Sequence, residues 1–211
     1  MSLLLTIVSI GIMVAKVVLV ATAVASTILK EVVEIAKMVK EIVNILKDLG
    51  IIDKNENPEE IGDRCKQAEE AGIDRDKYKT FEEYEKAIKE FPLDREKSKN
   101  ISDDEKFKYA LAYYSMLSEE KLKIKSEDLF KFTASFMKWE KLKGYTREIF
   151  DTFRGKDISL GKVADFFQKK LKISEDINVE NALVEAIQKK EPEKDRDDIL
   201  DEFQEMRKAE E

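Results

Sequence analysis

The sequence contains no histidine and only one cysteine among its 211 residues. Without histidine it lacks the commonest general base, the commonest metal ligand and the usual pH-sensitive side chain. The single cysteine, Cys65, cannot form an intrachain disulfide, and no imidazole is present to activate it as a nucleophile. Cys65 is therefore predicted to be a small, half-buried residue with a structural role. The chain is predicted not to be an enzyme, and to have no cofactor and no catalytic or metal site.

Helix-breaking residues are also scarce, with three prolines and seven glycines. Charged residues make up 39% of the chain and hydrophobic residues 43%, a mixture that favours amphipathic helices with solvated charged faces. No run of alternating β-branched residues bounded by turns indicates a strand. The predicted fold is all-α, with a long N-terminal helix that is hydrophobic at first and amphipathic later, followed by a bundle of about six to seven short helices.

A basic surface is missing as well. The net charge is −7, and residues 191–211 hold ten acids and four bases, which account for −6 of it. No nucleic-acid partner is expected, because binding to phosphates requires a basic footprint. The acidic tail nevertheless places Ile199, Leu200, Phe203 and Met206 at helical spacing. This pattern predicts a weak amphipathic helix that docks on the body, binds a protein partner or frays.

The sequence contains a long apolar run near its start. Between Leu3 and Leu29 the only charged residue is Lys16, and 27 residues are enough to cross a bilayer as a helix. A lysine at the centre of such a span costs about 2.5–3.5 kcal/mol, which the other residues can outweigh. A cleaved signal peptide is not favoured, because no basic residues precede the run. A transmembrane helix and a helix buried by other protein both remain open.

A seven-residue period runs through the first fifty residues. Polar or small residues recur at this spacing, from Ser9 and Lys16, here called the polar line, to Lys37 and Asn44 further along. An apolar seam with alternating steps of four and three follows another face, as in coiled coils. Because the phase is unbroken, residues 3–49 are predicted to form one helix about 70 Å long.

The apolar seam contains the residues predicted to contact a membrane or another copy of the chain, which are Gly11, Ala15, Val18, Thr22 and Ala25. Gly11 and Ala15 form a small-x-x-x-small pair, which lets two helix backbones approach closely in a membrane. In an oligomer held by this seam, Ser9, Lys16 and Ala23 could line a lumen. Small residues also recur in any apolar helix, so self-association and a plain apolar helix are both open.

Capping signals predict where the later helices begin and end. Gly50 ends the long helix, and Asn57 followed by Pro58 begins the next one. Capping boxes at Thr80 and Ser102 open two more. Further helices are predicted over residues 126–144, 146–154, 159–171 and 178–189.

These signals divide the chain into four predicted segments: a long helix for a membrane or for oligomerisation over 1–50, a connector with one helix over 51–77, a helical bundle over 78–190, and the acidic tail over 191–211. Aromatic residues at helical spacing within the bundle predict a packed core rather than a surface that stacks on bases or a cofactor.

One short motif resembles a calcium loop in part. Residues Asp53 to Asn57 begin as such a loop does, but Pro58 stands where glycine is required and Arg64 where a bidentate glutamate is required. A helix cap accounts for the same residues better.

Three functions are compatible with these patterns. The first is a non-enzymatic, membrane-associated or membrane-inserting helical protein of the toxin, phage-ejection or membrane-effector type, whose partners are a lipid bilayer, copies of itself, or both. The second is a structural subunit of a virion or a secretion assembly, cytoplasmic or virion-associated, in which the first helix is buried by protein. The third is a soluble helical interaction protein that buries this helix in its own bundle. Membrane association ranks first, because the apolar run is long enough to span a bilayer.

Overall fold

The computed structural model describes residues 32–208, with side chains described from residue 35 onward. Within this range the chain forms ten α-helices, two 3-10 helices and no β-strand, which confirms the all-α prediction. The α-helices are α1 (Val32–Asp48), α2 (Pro58–Glu70), α3 (Phe81–Glu90), α4 (Arg95–Ser98), α5 (Asp103–Leu122), α6 (Ser126–Lys138), α7 (Thr146–Gly155), α8 (Lys162–Phe167), α9 (Ile173–Lys190) and α10 (Arg196–Lys208). The 3-10 helices are Arg75–Lys77 and Glu140–Tyr145. The predicted helix over residues 3–31 lies outside the described residues.

The described chain divides into two compact units. The N-terminal unit comprises residues 32–47 and 51–126, and the C-terminal unit comprises residues 48–50 and 127–208. The N-terminal unit is built on α2 and α5, which pack along each other, and α3 packs against both. In the C-terminal unit α9 is the central helix, and it packs against α7, α8 and α10.

Local capping places the first helices where the sequence predicts them. The Asn57 side chain accepts a hydrogen bond of 2.9 Å from a backbone N–H in the first turn of α2. Thr80 with Glu83, and Ser102 with Glu105, form reciprocal capping boxes at the starts of α3 and α5. Each box satisfies two backbone N–H groups that have no partner within the helix, so these starts are determined by three or four neighbouring residues.

The stop after α1 also agrees with its prediction. The helix ends at Asp48, and Gly50 follows with a φ of +72°, a left-handed conformation that glycine adopts without a steric penalty. The turn lets the Ile51 N–H donate to the Leu46 carbonyl over 2.9 Å. One carbonyl of the last helical turn is thereby satisfied.

Helix α1 shows the second half of the seven-residue pattern. Its seam positions Val39, Val43 and Leu46 are at most 2% exposed, whereas Lys37 and Asn44 on the continuation of the polar line are exposed. One face of α1 is therefore buried in phase with the seam, as the pattern predicts over this length.

Helix α6 is shorter than predicted. The sequence pattern extends to residue 144, but α6 ends at Lys138 because Trp139 adopts φ −113° and ψ 80°, outside the helical region. This conformation buries the indole ring, which lies 4.6 Å from the Phe167 ring between centroids. A contact with a residue distant in the sequence thus ends the helix before any local stop signal.

Other boundaries also differ from the prediction. Helix α8 covers Lys162–Phe167 rather than the predicted 159–171, and it ends before Lys169, which has a left-handed φ of 56°. Helix α9 begins at Ile173, five residues before the predicted cap Asn178, because the Asp176 N–H already donates to the Lys172 carbonyl over 2.8 Å. No capping side chain is used there. The short helix α4 was not predicted, and it is capped by the carboxylate of Asp94.

The acidic tail forms the docked helix α10. Ile199 and Phe203 are at most 2% exposed, so the apolar stripe is buried rather than frayed. The Arg207 guanidinium lies 3.9 Å from the Phe166 ring centre and donates to the Phe166 carbonyl and to the Asp176 carboxylate. Through residue 208 the tail therefore packs on the body. The binding of a protein partner by this tail stays a prediction.

Candidate functional site

The residues predicted to carry function lie before the described part of the chain. These are the seam residues Gly11, Ala15, Val18, Thr22 and Ala25 and the polar-line residues Ser9 and Lys16. Their roles remain predictions based on the spacing of apolar and polar residues. Among residues 32–208 no helix is both long and apolar enough to cross a membrane.

Helix α1 belongs to the N-terminal unit and contacts α2 and α5 through a lysine. The Lys40 ammonium lies 5.4 Å from the centre of the Phe107 ring on α5 and 3.8 Å from a carboxylate oxygen of Glu59 on α2. The attractive face of the ring and the carboxylate both favour the charged lysine at this position. The contacts of Lys40 therefore help to hold α1 against α2 and α5.

Cys65 lies inside the N-terminal unit between α2 and α3. It is 3% exposed, and its thiol is hydrogen-bonded with the Tyr84 hydroxyl. Burial raises the pKa of the Cys65 thiol, and the nearby Glu69 carboxylate raises it further. The thiolate required of a nucleophile is thus disfavoured. The half-buried position predicted from the sequence is in fact fully buried.

The accessibility of Cys65 gives a direct test of this environment. At pH 8 the native thiol is expected to react with a thiol reagent at least about 100-fold more slowly than the thiol of the urea-unfolded chain, because both burial and the raised pKa of Cys65 suppress the thiolate. Stopped-flow labelling of the two states measures the ratio. Equal rates in the two states would show that α2 and α3 do not enclose Cys65.

A groove of about 550 Å³ opens on the surface of the N-terminal unit beside α2. Arg64 crosses it, donating from Nη1 to the Phe91 carbonyl over 2.5 Å and from Nη2 to Glu60 over 2.7 Å. The other charged residues of the lining are Glu59, Asp63, Glu90, Arg95 and Lys106. Arg64 is occupied by carbonyl groups at the end of α3, and the lining holds no nucleophile beside a base. We assign no reaction to this groove.

The predicted core aromatics are buried in both units. Each of the following is at most 6% exposed: Phe107, Tyr113, Tyr114, Phe130, Phe132, Phe136, Trp139, Phe150, Phe153, Phe166 and Phe167. They pack against one another, for example Phe81 with Tyr113 at 5.9 Å between ring centres in the N-terminal unit. Their prediction as core is confirmed, except for Tyr109, which is only half-buried. Within residues 32–208 no cluster of cysteines and carboxylates is arranged to hold a metal ion.

Two isoleucines at the start of α9 are exposed, unlike the buried apolar side chains of the core. Ile173 is 82% exposed and Ile177 is 52% exposed, and no other large apolar side chain from residue 35 to residue 208 is exposed to this extent. They are four positions apart and share one helix face. Sequence analysis missed them, because the helix was predicted to begin only at Asn178. Their spacing within a lysine-rich stretch was the available signal.

Searches of protein-family models, of characterised proteins and of solved structures found no match to this chain.

Proposed function

We propose that this chain is a non-enzymatic, membrane-associated helical protein that enters a bilayer with residues 3–29 and carries its helical body at the membrane surface. The observation that supports the proposal is the apolar run itself, 27 residues with Lys16 as the only charge. Exposing such a segment to water is unfavourable by roughly 25 cal/mol for each Å² of apolar surface, so it requires a lipid or protein environment.

The body provides a second line of support. The N-terminal unit is filled by its own aromatic contacts, such as Tyr113 with Tyr114 at 5.3 Å, and the C-terminal unit by contacts such as Phe167 with Phe203 at 5.6 Å. Such filled interiors are typical of domains that fold outside the hydrocarbon region. If the chain acts as a membrane effector, we propose that copies of it associate through Gly11 and Ala15. Lys16 then faces a lumen between the copies.

A second candidate, a subunit of a larger protein assembly, is favoured by one observation. The seven-residue pattern continues into α1, where Val39, Val43 and Leu46 are buried by this chain's own N-terminal unit, so protein rather than lipid covers the seam there. A helix with a continuous seam can be covered by copies of itself as well as by lipid. This candidate predicts a discrete oligomer that stays in solution without detergent.

Flotation of the full chain with neutral phosphatidylcholine vesicles tests the first proposal. We expect the protein to float with the vesicles and to resist high salt. The double substitution Val14→Glu/Val18→Glu places both acids away from Lys16 and is expected to lower the floated fraction at least about tenfold, because each acid placed centrally costs about 2.5–3.5 kcal/mol on insertion. The matched control, Asn44→Glu/Gln204→Glu, adds the same charge at exposed positions and should float like the parent.

The outcomes of this experiment separate the alternatives. A protein that remains in the dense fraction and needs no detergent is not inserted, and the proposal is then wrong. Light scattering of that soluble protein distinguishes the assembly subunit, seen as a discrete oligomer that Val18→Glu disrupts, from a monomer that covers the segment with its own helices.

A further inference from the structure

The turn between α8 and α9 holds a short basic segment in a defined backbone conformation. Helix α8 ends at Phe167, and Lys169 adopts a left-handed φ of 56°. The Lys170 N–H donates to the Asp165 carbonyl over 2.8 Å and the Lys169 N–H to the Phe166 carbonyl over 3.1 Å. These two bonds form a Schellman cap, which fixes the backbone of the turn. Residues after it therefore project from a defined position rather than from a loose loop.

Four residues of this region form one surface, here called the α9 patch: Lys170, Lys172, Ile173 and Ile177. All four are exposed. Two isolated surface isoleucines would need no explanation. Here they occupy one helix face, and Lys172 and Lys170 precede Ile173 by one and three residues. Exposed apolar and basic side chains therefore follow one another within a few positions.

Nearby acids do not neutralise the α9 patch. The Glu175 carboxylate lies 3.0 Å from the Lys162 ammonium, and the Asp176 carboxylate is paired with Arg207. The two acids of the first turn of α9 are thus balanced mainly by cations outside the patch, and Glu175 also attracts the Lys172 charge. Within the described residues Lys170 has no acid paired with it, so the patch keeps an excess of positive charge.

The composition of the α9 patch favours lipid over protein as the occupant. Protein interfaces are enriched in arginine and aromatic residues and depleted in lysine, and the patch contains lysine without either. An interfacial lipid site combines apolar side chains that enter the headgroup boundary with lysines that face anionic headgroups. Charge complementarity therefore identifies the occupant as an anionic lipid surface.

We propose that the α9 patch docks the C-terminal unit on an anionic phospholipid surface. This inference rests on the proposed function, since the bilayer entered by residues 3–29 is the surface on which the unit would dock. Each lysine held near such a surface strengthens the contact about fivefold. The two isoleucines add an apolar contribution that does not depend on lipid charge.

A fluorophore sensitive to its environment, attached to Ile173→Cys in the full chain with Cys65→Ala, tests this docking. With vesicles of phosphatidylcholine and phosphatidylglycerol we expect a blue-shifted emission and an at least about threefold loss of quenching by aqueous iodide, both reversed by salt. With phosphatidylcholine alone the protein should float while the label stays in water. Lys170→Glu/Lys172→Glu should abolish the response, whereas Lys125→Glu/Lys141→Glu, an equal charge change at exposed lysines, should preserve it.

A second label position controls for general proximity to the membrane. Lys189 lies about 24 Å further along α9 than Ile173. It donates to Thr152 of α7 over 2.9 Å, which places the neighbouring Asp151 toward the far end of α9. A label at the exposed Asp151→Cys should not respond. Equal responses at both positions would overturn the assignment to the α9 patch.

The two proposals fail in different ways in this experiment. Flotation with both vesicle types and no response at residue 173 overturns the α9 patch and leaves membrane insertion standing. A response at residue 173 without flotation on neutral vesicles supports the patch and overturns insertion by residues 3–29. A blue shift that grows with protein concentration in the absence of vesicles identifies a protein contact and overturns the lipid assignment.

Discussion

Gly62→Ala is expected to lower the free energy of unfolding of the N-terminal unit by about 2–4 kcal/mol. A Cβ atom at this position would lie 1.9 Å from the Lys106 carbonyl oxygen and 2.7 Å from the carbonyl carbon. Both are backbone atoms of α5 that cannot swing aside, so α2 and α5 must separate. Alanine gains only about 1 kcal/mol in helix propensity over glycine, which does not offset the loss of packing along the two helices.

Urea unfolding followed by far-ultraviolet circular dichroism measures this change, and amide hydrogen exchange locates it in α2 and α5. Gly155→Ala is the matched control, because no heavy atom lies within 4 Å of its added Cβ. The control should be neutral or stabilising by up to about 1 kcal/mol. If Gly62→Ala unfolds at the same urea concentration as the parent, the close crossing of α2 over α5 is wrong.

Phe203→Ala is expected to destabilise the C-terminal unit by about 3–5 kcal/mol and to release α10. Phe203 is 2% exposed, and its ring stands edge to face against Phe166 at 5.8 Å and Phe167 at 5.6 Å between centres. Removing the ring leaves a cavity in a cluster that also holds Trp139, the only tryptophan of the chain. The loss is large because neighbouring rings cannot collapse fully into the space.

Tryptophan fluorescence during urea unfolding follows this cluster directly. Gln204→Ala, at the exposed neighbouring position, serves as the control and should change stability by less than about 0.5 kcal/mol. Equal stabilities of the parent and Phe203→Ala would mean that the tail helix does not dock in solution. The test therefore also checks the position of the acidic tail, which the sequence left open.

The features that could be predicted are those determined by neighbouring residues. The capping boxes at Thr80 and Ser102 and the stop at Gly50 depend on side chains and backbone angles within a few positions, so reading them needs no knowledge of the fold. Burial of the seam in α1 follows from the spacing of its apolar residues. The roles predicted for the residues of the seam and the polar line also come from the spacing of nearby residues, and they stay predictions.

The features that could not be predicted depend on contacts across long sequence separations. Helix α6 ends before Trp139 because the indole ring packs against Phe167. Helix α10 docks because Phe203 packs against the aromatic rings at the end of α8. Periodicity shows that a face is apolar, but it does not show which partner covers that face. The exposure of Ile173 was missed for the same reason, since only the packed structure reveals an apolar residue that no other element covers.

By itself the sequence determined the all-α class, the helix starts and stops that caps define, and the presence of an apolar segment over residues 3–29 that water cannot accommodate. These follow from composition, helical period and local hydrogen bonding, which act within one or two turns. The tertiary structure decided that Gly62 allows α2 to lie against α5, that the acidic tail is part of the C-terminal unit, and that Ile173 and Ile177 stay exposed. These properties depend on which segments, far apart in the sequence, pack against each other, and that is determined only when the whole chain is folded.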